Sequence, residues 1–118
     1  MTDPVLLSVD GRGIATVTLN SPDVANAFDA VVIARLNETF GDLARRKEVR
    51  AVLLRGEGKH FSAGANLNWM KAAAARDQHE NFRDAMRLAD MLAALDGLPM
   101  PTIARVQGAA MGGGTGLC

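Results

Sequence analysis

Residues 59–68 read KHFSAGANLN. The stretch follows the apolar run AVLLRG at 51–56 and precedes a helical pattern that starts at Leu67. Ser62, Ala63, Gly64 and Ala65 put almost no side chain in front of their backbone N–H groups, and glycine accepts the positive φ that a tight turn demands. Such a turn suits close approach by a ligand. A second stretch of the same kind, GAAMGGGTG at 108–116, follows another strand-like run at 102–106. Strand, small-residue turn and helix thus occur in succession twice. That succession defines an α/β chain in which strands feed helix N-termini. The two turns are expected to meet in space and to build one oxyanion hole.

Outward from this stretch, the earlier half reads as a hairpin and a helix. Residues 5–10 and 14–19 are β-rich and flank Asp10-Gly11-Arg12-Gly13; Ile14, Thr16 and Thr18 alternate with Ala15, Val17 and Leu19 as in a half-buried strand. Asn20-Ser21-Pro22-Asp23 breaks the second strand with turn chemistry. Asp29 is placed to cap a helix over 30–46, whose Ile33, Leu36, Phe40 and Leu43 recur on one face. Arg45, Arg46 and Lys47 end it and complement the helix dipole as a solvated basic cluster. The run at 51–56 reads as a strand buried on both faces, as in a parallel sheet. Helices are expected over 67–75 and 79–95, the second with a stripe of Phe82, Met86, Ala89 and Leu92; Leu98-Pro99-Met100-Pro101 stops it. The order is ββαβααβ, without repeats.

Composition removes several function classes. The 118 residues balance 13 Lys and Arg against 13 Asp and Glu, so no net charge favours nucleic acid or an anionic membrane. With 48% hydrophobic and 22% charged residues the chain is of ordinary globular balance. No apolar run approaches spanning length. The N-terminus carries an early acidic residue and no long apolar core, and a single cysteine, Cys118, fits a reducing compartment. A cytoplasmic location is the expectation, with a matrix-type compartment equally compatible with these features. The chain stops at Gly116-Leu117-Cys118 with no helix stop signal after the glycine run, as a fragment would.

Sharper motifs fail on spacing. Gly56-Glu57-Gly58-Lys59 lacks the glycine spacing and Lys-Ser/Thr pair of a P-loop, and Leu117 stands where a dinucleotide fingerprint needs its last glycine. Residues 60–64 match a nucleophile elbow only loosely, with His60 in place of the first glycine. His60 and His79 have no acidic or cysteine partner at metal spacing, so no metal is expected. Cys118 reads as a small packed residue rather than a nucleophile.

The pairing of the two turns survives. Chemistry on thioesters develops negative charge on a carbonyl oxygen, and two backbone N–H donors aimed at it stabilise that charge; losing one costs roughly a hundred- to a thousandfold in rate. Gly112, Gly113 and Gly114 opening a helix would add unpaired N–H groups and a positive dipole end. Both turns fit close strand–helix packing equally well.

Three segments carry a resemblance. They are Leu19-Asn20-Ser21-Pro22 with Asn26-Ala27, then residues 60–67 (HFSAGANL), then residues 106–114 (VQGAAMGGG). In this order and spacing the chain resembles the N-terminal part of the enoyl-CoA hydratase (crotonase) superfamily over nearly its whole length. The resemblance implies a spiral of ββα units, of which residues 1–118 form an incomplete N-terminal part. It implies an oxyanion hole from the N–H groups of Ala65 and Gly113, with Ala25, Ala27, Ala63, Asn66 and Leu67 along the CoA adenine and pantetheine arm. It implies an acyl-CoA thioester substrate, no separate cofactor because CoA belongs to the substrate, and a homotrimer or hexamer for the full-length protein. Asn66 stands where the family usually has aspartate, and Gly116 where two-carboxylate hydratases have glutamate. With Asn66-Leu67-Asn68-Trp69-Met70, that glycine looks most like the methylglutaconyl-CoA hydratase type, which acts in leucine and acyclic-terpene breakdown. A Δ3,Δ2-enoyl-CoA isomerase also needs one carboxylate, and a silent CoA-thioester-binding relative needs none.

Overall fold

The computed structural model describes residues 3–64, 67–75 and 77–118. Its centre is a four-stranded sheet in sequence order β1-β2-β3-β4, from β1 (Val5–Val9), β2 (Ile14–Leu19), β3 (Ala51–Gly56) and β4 (Thr102–Ala104). β1 and β2 form the expected antiparallel hairpin, paired from Val5↔Leu19 to Val9↔Ala15. Its turn is shaped by Asp10, whose carboxylate accepts from the N–H of Arg12 (2.8 Å) and of Ile14 (3.1 Å). Gly13 sits at φ +83°, and its carbonyl accepts from the Arg50 N–H at 2.7 Å, joining the hairpin tip to the start of β3.

From β2 onward the strands are parallel. β2 pairs with β3 from Ile14↔Ala51 to Leu19↔Gly56, and β3 with β4 from Val52↔Thr102 to Leu54↔Ala104. Parallel neighbours need a crossover, and helices supply it. α1 (Ala30–Arg45) returns the chain from β2 to β3, while α2 (Leu67–Ala74) and α3 (Gln78–Asp96) return it from β3 to β4. Asp29 caps α1 as expected, its carboxylate accepting from the Val32 N–H at 3.0 Å. Arg46 closes the other end in an ion pair with Asp42 at 3.0 Å. Asp77 caps α3 in the same way, through the Glu80 N–H at 2.8 Å.

The core lies between one face of the sheet and α1. Ala15, Val17, Leu19, Val52 and Leu54 meet Val32, Ile33, Leu36, Phe40 and Leu43, all buried. Phe28 and Phe61, from the loops after β2 and β3, close the end of this core.

Three expectations are corrected. β3 is not buried on both faces: Val52, Leu54 and Gly56 are buried while Ala51, Leu53 and Arg55 are half-buried, because α1 covers one side of the sheet only. β4 stops at Ala104 rather than 106; the Arg105 N–H makes a further rung to the Leu54 carbonyl (2.8 Å) before the chain turns away. On α3 Asp84 and Met91 are buried and Leu88, Leu92 and Leu95 are half-buried against the core, whereas Phe82, Met86 and Ala89 of the expected stripe are exposed (Phe82 at 63%). Leu88, Met91 and Leu95 recur at helical spacing as Phe82, Met86 and Ala89 do, and the position of α1 decides which set is covered.

Candidate functional site: a loop junction at the carboxyl ends of the parallel strands

Because β2, β3 and β4 are parallel, their carboxyl ends lie together, where open α/β sheets place ligands. The three loops that leave there are 20–28, 57–64 and 105–112, and the middle one is tied to each of the others.

Asn26 links the first loop to the second. It is 2% exposed and takes the left-handed conformation (φ +54°), as does Ala25 (φ +53°). Asparagine tolerates that conformation better than most residues. Its Oδ1 accepts from the Ser21 N–H at 2.7 Å. Its Nδ2 donates toward the carbonyls of Glu57 (2.9 Å), His60 (3.0 Å) and Phe61 (3.1 Å). The amide fits there because Gly56 has no side chain: a Cβ at Gly56 would lie 2.9 Å from Asn26 Nδ2 and 2.6 Å from the Phe61 carbonyl. Main-chain bonds complete the seam, from the Ala63 N–H to the Ala25 carbonyl (2.9 Å) and from the Phe28 N–H to the Gly64 carbonyl (2.6 Å). The Ser62 hydroxyl donates to the Asn26 carbonyl at 2.9 Å and accepts from the Gly64 N–H at 3.2 Å.

The second and third loops run side by side as a short parallel ladder, so the two small-residue stretches do meet. Ser62 bridges Ala110: its N–H donates to the Ala109 carbonyl (3.1 Å), and its carbonyl accepts from the Met111 N–H (3.0 Å). The Gln107 amide donates to the carbonyls of Gly56 (2.6 Å) and Gly58 (3.1 Å). α4 (Gly113–Leu117) opens directly above Ser62. A Cβ at Gly114 would fall 2.8 Å from both the Ser62 Cβ and carbonyl, and one at Gly64 would fall 2.8 Å from the Met111 carbonyl. Gly64 (φ +89°) and Gly112 (φ +52°) touch, the position of a Cβ on Gly112 being 3.7 Å from the Gly64 Cα. At Gly64 and Gly114 only glycine allows this approach.

The site residues expected from the sequence fall around this junction. Ala25 and Ala27 lie in the first loop, Ala27 buried and Ala25 half-buried. Ala63 is exposed in the second. Leu67 begins α2 and Gly113 begins α4. Ala65 and Asn66 lie outside the described residues. The N–H groups of Ser62, Ala63 and Gly64 all have partners within the protein, as buried N–H groups must. Fewer donors of this turn are open to a ligand than the small side chains suggest. Gly113 is the first residue of a helix, the position at which an N–H has no partner within the helix. Sequence reasoning missed the side-chain ties of Asn26, Gln107 and His60, which reach 31 to 51 residues along the chain. The left-handed preference of asparagine in a turn was the one available hint.

Charge is confined to the rim. A cleft of about 330 Å³ beside the junction is lined by Arg55, Glu57, Arg105 and Gln107 with the backbone of Gly56 and Gly58; Arg55 pairs with Glu57 at 2.7 Å. Among the described residues no group of His, Cys, Asp and Glu could hold a metal ion. Gly116 brings no side chain to α4, and the position of its Cβ is 3.4 Å from a methyl of Leu92.

A fold of parallel strands ending in glycine-lined loops is common to many proteins, but the sequence on it is specific. The sequence model of the enoyl-CoA hydratase/isomerase family matches residues 10–118. The chain belongs to this family. A putative enoyl-CoA hydratase of Thermus thermophilus is 35% identical over 95% of the chain and 44% of its own length. The ethylmalonyl-CoA decarboxylase of Xenopus tropicalis is 33% identical over 95% of the chain and 37% of its own length. Among solved structures, an enoyl-CoA hydratase from Shewanella pealeana superposes with a TM-score of 0.93 at 41% identity, covering 97% of this chain and 43% of that one. A putative enoyl-CoA hydratase/isomerase (crotonase) from Legionella pneumophila superposes with a TM-score of 0.94 at 35% identity, over 99% and 45%. The fold is therefore the crotonase fold, and the chain spans less than half the length of these relatives.

Proposed function

We propose that the protein of which this chain forms the described part is an acyl-CoA hydratase, adding water across the α,β double bond of a CoA thioester. The N–H groups of Ala65 and Gly113 hold the carbonyl oxygen as it takes up negative charge, in the enolate that water addition at the β-carbon creates. Donors fixed before the reaction need no reorganisation during it, which is why such a pair is effective. The observation that carries this reading is the contact of the 60–64 and 107–114 turns, which are held together by main-chain bonds and by glycines that cannot accept a Cβ. A CoA thioester is also what the names of the hydratase and decarboxylase relatives have in common.

The substrate class we infer is branched, of the methylglutaconyl-CoA type. Gly116 supports it by leaving the position of one family carboxylate empty. Proton transfer needs a positioned acid–base group, so one carboxylate outside the residues described has to serve both the proton and the water. The same glycine supports the second reading, a Δ3,Δ2-enoyl-CoA isomerase, which moves a proton without adding water. Ala25, Ala27, Ala63, Asn66 and Leu67 are proposed to grip the CoA moiety, mainly through backbone. A homotrimer or hexamer, and a cytoplasmic location, belong to the same proposal; no helix among the described residues is long and apolar enough to cross a membrane.

The test is turnover of 2-enoyl- and 3-enoyl-CoA substrates by the full-length protein and by its Gly113→Pro variant, which lacks one donor N–H. Proline is tolerated at the first position of a helix. We expect hydration of the 2-enoyl substrate and a loss of roughly a hundredfold or more in the variant. Near-native turnover by the folded variant would sink the oxyanion assignment, and turnover of the 3-enoyl substrate alone would select the isomerase.

A further inference from the structure

The Ala109 N–H is bound by a side chain where a regular ladder would use the backbone. The Phe61 N–H donates to the Gln107 carbonyl at 2.8 Å, and one residue on along this segment, two along the facing one, the Ser62 and Met111 N–H groups make the rungs around Ala110. Between them a regular parallel ladder would give the Ala109 N–H a carbonyl of the facing segment. The carbonyls of His60 and Phe61 are both turned toward Asn26 Nδ2, at 3.0 and 3.1 Å. His60 Nδ1 takes their place and accepts from the Ala109 N–H at 2.9 Å. The ring reaches this position only because Gly108 is left-handed (φ +60°) and lacks a side chain: a Cβ there would stand 2.6 Å from His60 Nδ1 and would collide with the Lys59 carbonyl.

We propose that His60 is a positioning residue for the oxyanion site, its Nδ1 substituting for a ladder carbonyl. In that place it fixes residues 107–111, and through them the Gly113 N–H, against the 60–64 turn. An N–H donates only to a nitrogen that carries no proton, so the ring is in the tautomer with its proton on Nε2. The effect on catalysis rests on the oxyanion reading above; the hydrogen bond itself does not.

Three variants separate the two. Asparagine carries its Oδ1 on Cγ, where histidine carries Nδ1, so His60→Asn keeps an acceptor in place. His60→Gln moves the acceptor one bond further out, and His60→Leu removes it. Amide exchange in the full-length protein should leave Ala109 in His60→Asn protected as in the native protein. In His60→Gln and His60→Leu it should exchange roughly tenfold faster, the loss expected for one hydrogen bond, while amides of β2 stay unchanged. With a 2-enoyl-CoA, kcat should fall in the same two variants with KM nearly constant, and His60→Asn should restore it. Nitrogen NMR of the native ring should show Nδ1 unprotonated and Nε2 protonated. Native-like Ala109 protection in His60→Leu, the opposite tautomer, or His60→Asn behaving as His60→Gln would each overturn the proposal. The predicted exchange pattern without native turnover on any enoyl-CoA would overturn the oxyanion reading and the catalytic half of this one, and keep the tie.

Discussion

Asn26 is the residue on which the loop junction depends most, and replacing it in three ways dissects why. The side chain makes one accepted bond, from Ser21, and its two Nδ2 protons serve three carbonyls. Counting three net bonds at about 1 kcal/mol each gives about 3 kcal/mol. An alanine at φ +54° adds about 1 kcal/mol for the left-handed backbone. Asn26→Ala should therefore cost about 4 kcal/mol, a large share of the roughly 5–15 kcal/mol that holds a typical domain folded. Asn26→Gly loses the same bonds and sheds the backbone penalty, so it should be the milder variant by up to about 0.5 kcal/mol after its own entropy cost of about 0.5–1 kcal/mol. Asn26→Asp should be the worst at neutral pH. It keeps Oδ1 but turns a second oxygen, on a buried charge, toward three carbonyl oxygens. Its deficit should shrink at low pH, where the neutral acid can donate to one of them. Urea unfolding followed by circular dichroism measures all three, with an unchanged slope confirming that stability alone has moved. An Asn26→Ala cost below about 1 kcal/mol, or glycine costlier than alanine, would refute the assignment of Asn26 as the junction's tie.

Gly114→Ala should displace α4 from Ser62 and cost about 1–3 kcal/mol, since the colliding atoms include the Ser62 backbone; unfolding midpoints test it. Leu36→Ala, at the centre of the α1 face, should cost about 2–5 kcal/mol in the same assay. Asp29→Ala should cost about 1 kcal/mol through loss of the α1 cap. Arg35 holds the Asp3 carboxylate in a two-bond pair (2.9 and 3.3 Å) and, with the Val5 N–H, lowers its pKa below the ordinary value. A carboxylate depressed in the folded state adds stability above its unfolded pKa and loses it as pH falls through the folded one. Asp3→Asn should thus lower stability by less than about 1 kcal/mol at pH 7, the pair being exposed, and the difference should fade as the pH falls through the lowered folded-state pKa of Asp3.

The elements could be read from the sequence wherever a local rule and burial agreed. Asp29 before an apolar helical period placed α1, and Asp10-Gly11-Arg12-Gly13 between alternating runs placed the hairpin. Local rules could not choose between the two apolar rows of α3. Phe82 and Met86 make as good a stripe as Leu88 and Met91, and only the position of α1 decides. The same limit hid the one-sided burial of β3, because an apolar run does not say how many faces are covered.

At the site, the meeting of the turns was legible because small residues after parallel strands leave few other arrangements. The ties that fix them were not. Asn26, His60 and Gln107 bind partners 31 to 51 residues away through single polar groups, which produce no periodic signal. Open N–H groups were overestimated for the same reason: the partners of Ala63 and Gly64 are Ala25, in another loop, and the Ser62 hydroxyl.

Whether the two turns form one oxyanion hole can be read from the carbonyl stretch of a bound thioester. The measurement is a difference infrared spectrum of a 2-enoyl-CoA labelled with carbon-13 at its carbonyl, on the full-length protein and on Gly113→Pro. Two N–H donors should pull the stretch to lower frequency on binding, and the variant should lose much of that shift while still binding CoA. A saturated complex whose carbonyl vibrates as it does in water, or an equal shift in both proteins, would contradict the account.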